Sequence, residues 1–168
     1  LTHPDLINNL LPGFDATGNN SNGAPNANNN DAHGTACAGI VAAVANNNIG
    51  ISGIAYNAKI IPVRIGYSNG LPLTDQNRTW VTNNNWIANG ITWAVQNGAD
   101  ILSNSWGGGS PSTVITNAIN YAVNSGRSGK GCTVLFSTGN FNTNVAYPAT
   151  LPNVIAVGAS SPCDQRKT

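Results

Sequence analysis

The chain has 168 residues, 17.3 kDa, of which 40% are hydrophobic and only 8% charged, with a net charge of +1. That length supports one domain with a real core, and that apolar share excludes a disordered chain. Arg64, Arg78, Arg127, Lys130, Arg166 and Lys167 are too scattered to form a basic patch, and no apolar run approaches a membrane span, so neither a nucleic-acid nor a membrane partner is expected. Polarity comes mainly from asparagine, in runs such as 28–30, 46–48 and 83–85, which favour loops because the short amide bonds to nearby backbone.

The opening Leu1-Thr2-His3-Pro4-Asp5-Leu6 carries neither a basic leader nor an initiator Met, and reads as a start inside a larger protein. In Asp31-Ala32-His33-Gly34-Thr35, a histidine stands on the first turn of a predicted helix running from about His33 to Ala45, with Asp31 as its N-cap. Gly34 and Gly39 leave room for another backbone to approach, and the small residues Ala36, Cys37, Ala38 and Ala42 suit a helix buried under a sheet. Lys59–Ile65 reads as a strand, and Gly66–Thr82 as a polar loop.

Ile87, Ile91, Ala94 and Val95 recur at helical spacing, and Asn97-Gly98 ends that helix. Ala99–Ser103 is a short strand. Ile115, Ala118, Ile119, Ala122 and Val123 mark a further helix stopped at Ser125-Gly126. Thr133–Ser137 and Val154–Val157 are strands without alternation, as expected when helices cover both faces. Strands alternating with helices give an α/β fold: a doubly wound parallel sheet with helices on both faces. In such sheets the chemistry gathers after the carboxyl ends of strands, here at 104–109, 138–140 and 158–160. Three cysteines, Cys37, Cys132 and Cys163, cannot all pair within the chain, which leaves the redox compartment open.

Taken together, seven segments carry a resemblance. They are His3-Pro4-Asp5-Leu6, the His33-Gly34-Thr35 helix, Asn46 to Ala55, Trp86 to Ala94, Ser105-Trp106-Gly107-Gly108, Ser137-Thr138-Gly139-Asn140, and Tyr147-Pro148-Ala149 with Val154 to Ala159. In this order and spacing the chain resembles the subtilisin-like serine proteases (subtilases, peptidase family S8) over nearly its whole length. The resemblance implies a serine endopeptidase that hydrolyses peptide bonds through a Ser-His-Asp triad, with peptide or protein substrates and an extracellular or secreted location.

The resemblance makes His33 the general base and Asn140 a side-chain donor of the oxyanion hole. It makes Ser103, Asn104, Ser105, Trp106, Gly107 and Gly108 the edge along which substrate adds as an extra strand. A second substrate strand should follow Ile65, but 66–85 departs from the short family pattern as an insertion-like loop. A structural calcium ion is implied as well, held by Asp5, Asn47 and the carbonyls of Ala45, Ile49 and Ile51. Cys37 falls one turn after His33, where some subtilases carry a thiol.

The family's triad aspartate belongs before His3 and its serine beyond Asn140, and neither motif is present. Residues 1–168 are therefore expected to be the central part of a single catalytic domain, truncated at both ends and inactive alone. Ser105, Ser137 and Ser160 lack the strained turn that presents a nucleophile. Two other readings compete: a non-catalytic, binding-only subtilase relative, and a nucleotide-binding α/β domain built on Trp106-Gly107-Gly108-Gly109-Ser110. The latter loop lacks both Gly-x-Gly-x-x-Gly spacing and a P-loop lysine.

Overall fold

The structure, a computed structural model, describes residues 1–18, 22–26, 31–72, 76–77, 79–140, 143–163 and 165. Two compact units are present, Leu1–Gly90 and Ile91–Thr168, the boundary falling within one helix.

In the first unit, a short 3-10 turn (Ile7–Asn9) leads to β1 (Phe14–Asp15) and then to α1 (His33–Ala42). Strand β1 pairs in parallel with β2 (Val63–Arg64), Phe14 opposite Val63, and a bridge from Leu10 to Ile60 extends that pairing. α1 stops three residues before the expected Ala45. Ala43 turns to extended backbone, its carbonyl accepts the Gly53 N–H at 3.0 Å, and Val44 N–H bonds the Asp5 carbonyl at 2.9 Å. Gly53 lies so close to the Ala42 and Ala43 backbone that a Cβ there would collide with it. The close backbone approach expected at Gly34 and Gly39 is not found: nothing described lies within 4 Å of a Cβ built at either. Nor is α1 buried, for Ile40 is 59% exposed and only Ala42 is enclosed.

The expected polar loop after Ile65 is instead a hairpin. β3 (Gly66–Ser68) pairs antiparallel with β4 (Trp80–Thr82), Tyr67 opposite Val81. The Thr82 hydroxyl donates to the Ile65 carbonyl at 2.6 Å. The hydrophobic pattern missed these strands because both are short, and β4 leaves Trp80 exposed. α2 (Asn84–Gln96) follows, its first turn capped by the Asn83 side chain, which accepts the Trp86 N–H at 2.9 Å. Gly90 faces Val63 and Ile65, where a side chain would meet the Ile65 methyl at 2.5 Å.

The second unit is a parallel sheet in the order β5 (Ile101–Asn104), β6 (Thr133–Ser137), β7 (Ile155–Val157). Asn104 lies opposite Phe136, and Ser137 opposite Val157. α2 ends as expected: Gly98 has φ +85° and the Ala99 N–H returns to the Ala94 carbonyl at 3.0 Å. α3 (Thr113–Gly129) loses helical geometry at Gly126, Arg127 and Ser128, in line with the predicted stop. It packs on β6 and buries Ile115, Ala118, Ile119 and Ala122 beside Val134 and Phe136. β5 and β6 alternate in burial, contrary to expectation for β6: Leu102, Val134 and Phe136 point inward while Ile101 is 61% exposed, and β7 is exposed throughout rather than covered on both faces. The α/β class stands, its parallel pairings being β1–β2 in one unit and β5–β6–β7 in the other.

Candidate active site

His33 opens α1 in the first unit and is exposed. Among the described residues no hydrogen bond holds its ring. Asp31 does not cap this helix. Ala32 occupies the N-cap position without a side-chain bond, and Asp31 turns inward instead. Its Oδ1 accepts the Ser68 N–H at 2.8 Å and its Oδ2 accepts from Arg64 at 3.4 Å. Arg64 also meets Asp15 at 3.6 Å, and its guanidinium lies 5.4 Å from the Tyr67 ring centre. All three charged side chains are more than nine-tenths buried. A capping role was the natural expectation for an Asp just before a helix, but a lone arginine in a β-branched strand needs carboxylates more than the helix needs a cap. That need was the missed signal.

The calcium expectation gathers residues the structure does bring together. Asp5 is 3% exposed. Its Oδ1 accepts from Asn47 Nδ2 at 2.8 Å and its Oδ2 from the Ile51 N–H at 3.0 Å. The Asn47 side-chain bond and the Ile51 N–H hold this carboxyl below its ordinary range against the opposing effect of burial, with a further contribution from His3. His3 acts as a brace, its Nδ1 accepting the Asp5 N–H at 3.3 Å.

The loop can wrap this carboxylate because Asn46, Asn48 and Gly50 all have positive φ, and a side chain at Gly50 would strike Asp5. The carbonyls of Ala45, Ile49 and Ile51 accept no hydrogen bond among the described residues. This all-oxygen set fits a hard cation, provided the Asn47 amide turns over, since its oxygen now accepts the Ile49 N–H at 3.0 Å.

In the second unit the exits of β5, β6 and β7 lie side by side. The Thr138 N–H bonds the Val157 carbonyl at 3.0 Å, and a Cβ at Gly107 would stand 3.9 Å from the Ser137 carbonyl oxygen. Asn140 follows Gly139, whose φ of +104° only glycine adopts readily, and is exposed. Along the expected substrate edge, Ser103, Ser105, Gly107 and Gly108 are exposed, whereas Asn104 and Trp106 are half-buried.

Tyr147 holds the far end of that segment. Its carbonyl accepts the Gly108 N–H at 2.7 Å, and its hydroxyl donates to the Ser112 carbonyl at 3.0 Å. No sequence period marks such a long-range tie. The three thiols are free: Cys37 half-buried, Cys163 exposed, and Cys132 buried with its Sγ donating to the Ala99 carbonyl at 3.0 Å. Burial pushes the Cys132 thiol upward, against the attraction of Arg127.

These features define an α/β chain whose second unit gathers polar loops after its parallel strands. The model of the subtilase family, peptidase S8, matches residues 1–168, and the chain belongs to that family. It is similar to Furin-like protease 2 of Drosophila melanogaster, 52% identical over 65 residues, which covers 38% of this chain and 4% of that protein. Thermitase of Thermoactinomyces vulgaris is 40% identical over 86 residues, covering 51% of this chain and 27% of the relative. Among solved structures, a mutant of the protease domain of PatA aligns with a TM-score of 0.72 at 25% identity, covering 98% of this chain and 55% of that one. The chain thus spans about a quarter or less of the length of these two relatives, and about half of that solved domain.

Proposed function

We propose that this chain is the central part of a subtilase catalytic domain whose full-length form is a serine endopeptidase. The match of the family model over all 168 residues carries this reading. In it, a serine supplied by the rest of the protein attacks the substrate carbonyl. His33 takes the serine proton and later returns it to the leaving amine. The Asn140 amide donates to the oxygen as negative charge develops there. Ser103 to Gly108 takes an extended peptide along its exposed backbone.

In the same reading the aspartate that would orient the His33 ring is, like the serine, supplied by the rest of the protein. α1 fits a larger domain too: beyond His33 and Thr35 it holds small and apolar residues all round, the pattern of an enclosed helix, yet Ile40 stands exposed. Calcium, held by Asp5, Asn47 and the carbonyls of Ala45, Ile49 and Ile51, would tie the loop after α1 to the start of the chain. An extracellular or secreted location is part of the same proposal, resting on the family resemblance alone.

A fluorophosphonate probe tests the reading, because it bonds only to an activated serine. The full-length protein should be labelled, and labelling should disappear on His33→Ala; the 168-residue chain alone should stay unlabelled. A full-length protein that resists the probe while still binding peptides would support the binding-only relative instead.

A further inference from the structure

Asn104 is a polar residue where the strand calls for an apolar one. β5 exposes Ile101 and Ser103 and turns Leu102 and Asn104 to the inner side. A half-buried amide there is costly unless it is bonded. Every strong group of this amide is engaged. Nδ2 donates to the Leu102 carbonyl at 3.3 Å and to the Leu135 carbonyl of β6 at 3.1 Å. Oδ1 accepts the indole Nε1–H of Trp106 at 3.1 Å. Turning the amide over would set N–H against N–H and oxygen against two carbonyls, so these partners admit a single orientation. The indole is held a second time, in a T-shaped contact with the fully buried Phe136 at 5.0 Å between ring centres and 87° between planes. Ser105 and Gly107, on either side of Trp106, are exposed.

We infer that Asn104 is a positioning residue that fixes the Trp106 indole beside the exposed Ser105–Gly107 backbone, and thereby sets the edge segment's preference for a substrate strand with a large apolar side chain facing that ring. The inference rests on the protease reading above. It also changes the expected role of Asn104. Its amide is spent within the protein and acts on substrate only through Trp106.

The experiment uses the full-length protein and peptide substrates varied one side chain at a time. Asn104→Ala should lower kcat/KM for the preferred large apolar side chain about threefold to tenfold, the effect of one lost hydrogen bond, mainly through KM. Poor substrates should change little, so the preference flattens. Trp106→Phe removes the N–H, keeps a ring and should flatten it likewise. The double variant should be no worse than the more affected single variant, because the two residues act through one contact. In protein labelled with 15N-tryptophan, the indole N–H lost in Trp106→Phe should exchange with solvent at least about tenfold faster in Asn104→Ala.

Faster exchange with unchanged preference overturns the proposal and leaves the protease reading intact, as do additive effects of the two substitutions. If Asn104→Ala fails to fold, an unchanged preference in Trp106→Phe overturns the proposal by itself. An unsubstituted full-length protein that cleaves nothing and resists fluorophosphonate overturns both readings together.

Discussion

A charge taken out of water must find a partner, and in the first unit Arg64 finds two, Asp15 and Asp31. Such a group is costly to disturb because removing one member leaves the others buried and under-compensated. Asp31→Asn keeps an oxygen for the Ser68 N–H but loses the charge facing Arg64. It should destabilise the protein by about 2–3 kcal/mol, less than a full break because Asp15 remains. Urea unfolding midpoints of the wild type and variant measure this, and equal midpoints would mean Asp15 alone satisfies Arg64.

Asp5 makes a different prediction at the same scale. Its carboxyl is held below the ordinary range in the folded state, so its contribution is complete above that range and is lost as pH falls through the folded value. Asp5→Asn should therefore flatten the acid limb of melting temperature against pH. If Asp5 also holds calcium, the same variant should lose most of the rise that calcium gives, a rise worth about 2.7 kcal/mol at a hundredfold excess over Kd. A calcium response untouched by Asp5→Asn would place the ion elsewhere.

Elements were legible where a long periodic pattern set them and opaque where a distant residue did. α2 and the helical part of α3 follow from their apolar spacing and their glycine stops, because each pattern repeats over several turns. The hairpin of β3 and β4 did not follow, since three-residue strands carry no period and eleven residues of sequence separate the two. The end of α1 was misplaced because Ala43 and Ala45 are good helix formers and Val44 continues the apolar run. What stops the helix is the Gly53 N–H and the Asp5 carbonyl, which no local reading contains.

Tyr147 ties the segment after β5 in the same long-range way, through Gly108 at one point and Ser112 and Thr116 at another. Tyr147→Phe keeps the ring and the backbone bond to Gly108 but removes the hydroxyl. The variant should lose about 1 kcal/mol of stability, the net value of a buried hydrogen bond. Backbone exchange should speed up at the N–H of Thr116, which bonds the same Ser112 carbonyl, and remain as it was at Gly108. Faster exchange at both would show that the ring, rather than its hydroxyl, holds the segment.

Across the whole molecule, the residues proposed for chemistry were legible because each belongs to an unbroken stretch of sequence: His33 with Gly34 and Thr35, Asn140 with Gly139, Trp106 with two glycines. The residues that hold those stretches in place were not, because Asp31, Asn104 and Tyr147 act on partners far along the chain or across a strand. The two classes should also fail differently when altered. A residue that supports the fold changes stability first. A residue that meets developing charge changes turnover alone, because its bond gains strength only as the carbonyl oxygen becomes negative. Asn140 is exposed after β6 and makes no hydrogen bond among the described residues, so the fold asks little of its amide. In the full-length protein, Asn140→Ala should leave the melting temperature within about a degree or two of wild type, since exposed substitutions seldom exceed about 0.5 kcal/mol. Its kcat should fall by about two to three orders of magnitude with little change in KM, a magnitude that belongs to the equivalent donor of subtilisin. Steady-state kinetics beside a melting curve separate the cases. A loss confined to KM would make Asn140 a ground-state contact, and a large fall in melting temperature would make it part of the scaffold.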